Sequence, residues 1–281
     1  MEGPNLQDED YIDQHDPHPS EVRDEMEDAH RDGTRGWYPE DTEDDTPIWR
    51  YMDLGKFISL IQTSQLWFSH TSKFEDPYEG RYSKTVAEGI QREKWGIEEP
   101  LEEDTEFFIE DGADHYVSCW NRKKNQSAAL WELYTEGSNG VAVKSTVGEL
   151  KRAVTGLPED EIDHQMEFGK VKYHVTGDEA RGHYAPIFTK RDIFEFEKEY
   201  RAVLTVFDRL EDTDIEEAKI RSGVGIGLEV DLDILINEVY VSPGAGGYLQ
   251  DVVECIERDY RPAFSIERST IFDHPLVDSS S

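Results

Sequence analysis

The pattern of apolar and polar positions is clearest between residues 48 and 80. Ile48–Tyr51 is a short apolar and aromatic run, as in a strand. Asp53 follows at a position suited to an N-cap, where a carboxylate accepts an orphan backbone N–H. Leu54, Phe57, Ile58 and Ile61 recur at helical spacing and predict one apolar stripe. The polar stretch 62–65 breaks that stripe, and Leu66, Trp67 and Phe68 predict a second buried strand. Residues 74–80, FEDPYEG, predict a turn, because the proline keeps Asp76 out of the helical region. Its three carboxylates are expected to be solvated surface.

Further along, Thr85–Trp95 and Leu101–Glu110 read as helices of a surface insertion, and His115–Trp120 as a strand. The loop 121–126 is polar and basic, which is unusual in this chain. Ser127 stands where it caps a helix holding Ala128, Leu130, Trp131 and Tyr134, and Val141–Val143 is the next strand. Thr146 and Glu149 fit a capping box. Phe168–Tyr173 alternates like a strand, Asp178–Phe188 reads as a helix, and 190–201 runs into the apolar strand Ala202–Phe207. An acidic connection spans 208–222. Val224–Val230 predicts a strand and Ile234–Val241 holds a further one, Val252–Tyr260 reads as a helix, and Phe264–Phe272 supplies one or two closing strands. Strands and helices mix without a βαβ rhythm, so the expected class is α+β: a mixed, twisted sheet flanked by helices, in a single domain over 47–272.

Charge changes this picture. The chain of 281 residues carries 29 Lys and Arg against 63 Asp and Glu, a formal net charge of −34. Residues 1–46 hold 17 acids against three Arg and predict a disordered acidic tail, with Trp37 and Tyr38 pinning its end. The excess also runs through the folded part, as expected for a protein adapted to a salt-rich cytoplasm. It argues against broad, non-specific nucleic-acid binding, which needs a basic footprint. Cys119 and Cys255 form neither a disulfide framework nor a metal-ligand spacing, so no metal site is expected. No apolar run approaches the roughly 18 residues of a membrane span, and the acidic N-terminus resembles no targeting peptide. A soluble, cytoplasmic protein is expected, of open oligomeric state.

Several stretches resemble the domain of unknown function 2971 family. They are Trp49-Arg50-Tyr51, Leu66-Trp67-Phe68-Ser69, the 74–79 turn, Val117–Trp120, Leu130–Tyr134 followed by Gly140–Val143, Lys190–Arg201 with its Glu197-x-Glu199, and 236–243. Glu75 and Glu132 depart from that pattern, where the family has Asn and a small or polar residue. The layout is also similar to a diverged ADP-ribosyltransferase-type fold. That resemblance implies an enzyme using NAD as substrate, with Glu199, Arg50 and Ser118 as the catalytic set and Ser69 as second choice for the serine. Arg50 would hold a pyrophosphate or ribose, Ser118 would orient the site, and Glu199 would stabilise an oxocarbenium-like charge. Tyr51 or Trp131 would stack on the nicotinamide.

Plainer readings stand beside these. Glu197, Glu199 and Arg201 share one strand face by period two, so a structural charge ladder accounts for them. Trp131 and Tyr134 are core packing by helical spacing. Lys190 and Arg201 keep cationic character in a very acidic chain, which points to anion binding. Two other classes remain open: a non-catalytic interaction module, in stress response or defence against mobile elements, and a metal-dependent nuclease using Asp76, Glu79, Glu197 and Glu199.

Overall fold

A computed structural model describes residues 39–76, 78–82, 84–96, 98–100, 114–135, 139–154, 156, 164–173, 184–206, 220–221, 224–260 and 264–273. The stretch 1–38 of the expected tail, the expected helix at 101–110, residues 178–183 and most of 208–222 lie outside these.

The first strand, β1 (Pro47–Asp53), leads straight into α1 (Leu54–Thr63). Asp53 caps α1 by accepting the Lys56 N–H at 2.9 Å, as its position predicts. Ser64, in the left-handed region at φ 52°, turns the chain into β2 (Gln65–His70). Helix α2 (Lys84–Trp95) precedes β3 (Asp114–Asn121), and α3 (Ala128–Tyr134) precedes β4 (Gly140–Thr146). Thr146 and Glu149 form the predicted capping box of α4 (Val147–Ala153). Strands β5 (His164–Lys170) and β6 (Lys172–Tyr173) follow, then α5 (Ala185–Phe188), β7 (Thr189–Lys190) and β8 (Glu199–Val206). The chain closes with β9 (Ile220–Arg221), β10 (Gly225–Glu229), α6 (Leu232–Leu235), β11 (Glu238–Val241), α7 (Gly247–Tyr260) and β12 (Ser265–Arg268).

Ten of the described strands form one mixed sheet in the order β12-β11-β4-β1-β3-β2-β10-β9, with β8 on β3 and β5 on β8. All its pairings are antiparallel except β11 with β12. This is the α+β architecture expected. The sheet forks at β3. β8 pairs with β3 along its whole length, while β1 meets β3 only at Trp49–Asn121 and β2 meets it at Val117 and Tyr116.

Alternation then sorts the side chains. Ile48, Met52, Phe68, Trp120, Tyr200, Ala202 and Leu204 point into the main core. Their neighbours in sequence point the other way and form two smaller clusters. One is Trp49, Tyr51 and Ala142 under Leu130 and Trp131 of α3; the other is Val117 and Val203 under α5.

Three local expectations change. Residues 39–46, assigned to the tail, are held to the fold: Asp41 accepts from Tyr200 Oη at 2.8 Å and Lys151 Nζ at 2.6 Å, and Glu40 from Lys170 Nζ at 2.7 Å. The strand expected within 234–241 is confined to Glu238–Val241, because Asp231 accepts the N–H groups of Asp233 and Ile234 and starts α6. Helix α7 begins at Gly247, five residues before the apolar pattern does.

Candidate functional site

The face opposite the main core carries a charged trough between the two smaller clusters. Glu199 and Arg201 of β8 stand across from Asn121 and Cys119 of β3, so both side chains project on that face. Before β8, a 3-10 turn spans Asp192–Glu197, and Lys198 adopts a left-handed φ of 48°. Such a conformation is uncommon for a residue with a Cβ. It folds Glu197 back beside Glu199, whereas the sequence places both on one strand.

Lys190, at the end of β7, reaches Glu197 at 2.8 Å, Glu199 at 2.8 Å and Glu79 at 3.4 Å. Arg201 is wholly buried. Its Nε donates to Glu199 Oε2 at 2.7 Å, and its terminal nitrogens donate to Glu79 and to the Ile187 carbonyl. The Phe74 ring lies under its guanidinium. Glu79 comes from the acidic turn, where Asp76 takes a two-pronged pair from Arg191 at 3.0 and 2.9 Å. Those two carboxylates are therefore buried and paired, against the expectation of a solvated turn; burial without such partners is costly.

Three carboxylates surround two cations, and the surplus negative charge is met by a proton. Burial raises the Glu197 carboxyl to about 7, reinforced by a hydrogen bond with Glu199 and by its charge, against the pull of Lys190. Burial also pushes Glu199 upward, but Arg201, the Glu197 hydrogen bond and Lys190 outweigh it and hold Glu199 well below the usual range. Lys190 and Arg201 are likewise disfavoured by burial, and the surrounding glutamates raise both above their ordinary values. Burial, then Glu199, pushes the Cys119 thiol up to about 12, so it is no nucleophile.

Tyr134, partly exposed on α3, donates its hydroxyl to Glu197 Oε1 at 3.3 Å. The Tyr173 hydroxyl accepts the Glu199 N–H at 2.9 Å, and Asn121 Nδ2 donates to the Glu197 carbonyl at 3.1 Å. Neither partner stands out in the sequence, since each is a single polar residue in a strand. Tyr51 and Trp131 lie on this same face, ring edge to face with centroids 5.0 Å apart. Both are buried, and their polar ends bond to the Ser127 N–H and Gln126. Ser69 of β2 pairs with Val117 of β3 and shares the face.

Arg50 and Ser118 are brought together, but apart from Glu199. Ser118 alternates with Cys119, so it faces the main core. Arg50 donates to Ser118 Oγ and, at 3.0 Å, to the carbonyl of Trp67, with Trp120 flanking it. Trp120 Nε1 also donates to Ser118 Oγ at 3.2 Å. The guanidinium thus bridges β1, β2 and β3 where the fork leaves ladder bonds unmade. The convergence of Arg50, Ser118 and Glu199 in one cleft is replaced by two centres on opposite faces.

Metal chemistry finds no support in this geometry. Lys190 and Arg201 occupy the middle of the Glu79, Glu197 and Glu199 cluster, and Asp76 is engaged by Arg191. Among the described residues, no group of three His, Cys, Asp or Glu is arranged to hold a metal ion.

No family model matches this chain, and the resemblance to the domain of unknown function 2971 family has no support from one. No curated protein matches it either. Among solved structures it is similar to DarT of Thermus sp. 2.9 in complex with NAD+, and to the same protein in complex with ADP-ribosylated ssDNA. Both are 10% identical with a TM-score of 0.36, covering 83% and 82% of this chain and 97% of each of those. At that score the likeness carries no part of the argument. Among the described residues, no helix is long and apolar enough to cross a membrane.

Proposed function

We propose that this chain is a transferase acting on NAD or a related nucleotide, with Glu197 and Glu199 as its reacting carboxylates. One observation carries the reading. Across the left-handed Lys198, two carboxyl groups are driven to opposite protonation states, Glu199 ionised and Glu197 poised at about 7. Neighbouring carboxyls with separated pKa values are how a single site supplies an anion and a proton carrier together. Glu199 is suited to stabilise positive charge on a ribose as a glycosidic bond loosens. Glu197 is suited to take the proton of the attacking group. Arg50 and Ser118 take a structural role, closing the fork.

A second reading, a non-catalytic interaction module, is favoured by a different feature. An apolar groove lies between α1 and α7, lined by Ile58, Ile61, Val252, Cys255 and Ile256, while the charged cluster is buried and internally paired.

The test is nicotinamide release from NAD by the full chain in concentrated KCl, beside calorimetric titration with NAD. Glu199→Gln is expected to lower turnover by about 100-fold or more, as loss of one charge-stabilising group does. Glu197→Gln is expected to remove the ionisation near pH 7 from the rate profile. A folded chain that neither binds nor cleaves NAD moves the balance to the interaction module.

A further inference from the structure

The loop that follows β3 carries three consecutive cations, Arg122, Lys123 and Lys124, in a chain with more than two acids for every base. In such a chain a cation ordinarily pairs with a carboxylate; among the described residues Arg122 and Lys123 feel only the charge of Glu40 and Glu197, each already bonded to another lysine. Among the described residues, Arg122 Nε is buried with no acceptor. Lys123 reaches only the Ser127 hydroxyl, at 3.4 Å, and Lys124 is exposed without a partner. The acids around them are already engaged: Glu40 by Lys170, Glu195 by Lys198 and Glu197 by Lys190.

The loop is also fixed in place. The Arg122 N–H donates to the Lys198 carbonyl at 2.8 Å, and Trp49 Nε1 donates to the Lys123 carbonyl at 2.8 Å. Burial and then repulsion by Lys198 lower the Lys123 pKa, against the attraction of Glu197. Three positive side chains therefore lie in one short loop beside the bend that joins Glu197 to Glu199, and backbone bonds hold the loop there. That arrangement is stable once an anion sits among them.

We infer that Arg122, Lys123 and Lys124 form the phosphate-binding subsite of this site, taking the diphosphate of a nucleotide whose ribose lies toward Glu197 and Glu199. Naming that diphosphate as part of the reacting nucleotide rests on the transferase reading. The phosphate chemistry of the corner rests on the cations alone. A nucleic-acid strand is the poorer occupant, because it needs a basic track and the surrounding surface is acidic.

The experiment is calorimetry on the full chain with ADP, adenosine and a single-stranded oligonucleotide, for wild type, Lys124→Gln and Lys123→Gln/Lys124→Gln. Both lysines lie on a surface loop, and circular dichroism verifies that each variant keeps its fold. ADP is expected to bind and adenosine not, with the double variant weakening ADP by about tenfold or more, as loss of charge-assisted hydrogen bonds does. Equal ADP affinity in wild type and double variant overturns the inference, as does a failure to prefer ADP over adenosine. Loop-dependent binding of the oligonucleotide without binding of ADP overturns the nucleotide assignment. NAD cleavage measured in parallel separates the two proposals. Cleavage indifferent to the loop sinks the subsite and leaves the transferase; loop-dependent ADP binding without cleavage does the reverse.

Discussion

The proton on Glu197 has a thermodynamic signature. Its folded pKa of about 7 lies above the ordinary 4.5, so between those values the folded chain keeps a proton that the unfolded chain has released. Stability therefore falls as pH rises through that window, by up to about 1.4 kcal/mol per pH unit. Glu199 acts in the opposite sense. Its depressed pKa contributes stability that is present above the ordinary carboxylate range and is lost only as pH falls below it. Between pH 5 and 7.5 the slope assigned to this pair thus belongs to Glu197. Glu197→Gln copies the neutral form and removes the titration, leaving one amide oxygen to accept where the carboxylate offers one oxygen to Tyr134 and the other to Lys190. Urea unfolding at pH 5 and 7.5 is expected to show wild type losing about 2 kcal/mol more than the variant. Parallel slopes would place Glu197 among ordinary carboxylates and remove its role as a proton carrier. In the sequence, Lys190 and Arg201 are visible as cations in an acidic chain. The sequence shows Glu197 and Glu199 as a period-two pair on one strand face, but the way they meet depends on the left-handed bend at Lys198.

At the scale of elements, what is legible is what is local. The strand–helix–strand unit from Pro47 to His70, its Asp53 cap and the Thr146–Glu149 capping box all follow from neighbours in sequence. The fork at β3 does not, since it is set by which distant strands share one edge. That is why Arg50 reads as a ligand-holding residue in the sequence and as a bridge between strands in the structure. Short apolar runs are equally ambiguous: α6, Leu232–Leu235, ends inside the apolar triplet 234–236 that reads as strand. The bridging role is testable. Arg50→Met takes the Arg50 donor from the Trp67 carbonyl and leaves Ser118 Oγ with Trp120 Nε1 alone, at an expected cost of about 1–3 kcal/mol. The same variant is expected to keep the pH slope of Glu197, which lies across the sheet. A variant of unchanged stability that no longer binds NAD would return Arg50 to the ligand.

For the whole molecule, the question is how a net charge of −34 is tolerated. Inside, charge is nearly balanced: the cluster around Lys190 and Arg201 shares its surplus with a proton, and Asp76 is matched by Arg191. Outside, bridges such as Lys151–Asp41 and Lys170–Glu40 use up scarce cations, and with 63 acids against 29 bases the excess is negative charge that repels itself. Screening acts unequally on these two populations. The Debye length falls from about 10 Å at 0.1 M to about 3 Å at 1 M, which quenches surface repulsion and leaves buried pairs almost untouched. Exposed bridges contribute at most about 1 kcal/mol each, so their loss is smaller than the relief of repulsion. The unfolding midpoint is therefore expected to rise between 0.1 and 1 M KCl, with the Glu197-dependent pH slope unchanged, while ADP binding at the exposed Lys123–Lys124 corner weakens. A midpoint that falls with salt would mean that surface bridges, rather than repulsion, set the balance. A pH slope that shrinks with salt would mean that solvent ions reach the cluster. Opposite salt responses at the corner and the cluster would place the phosphate subsite at the surface and the carboxylate pair in the interior.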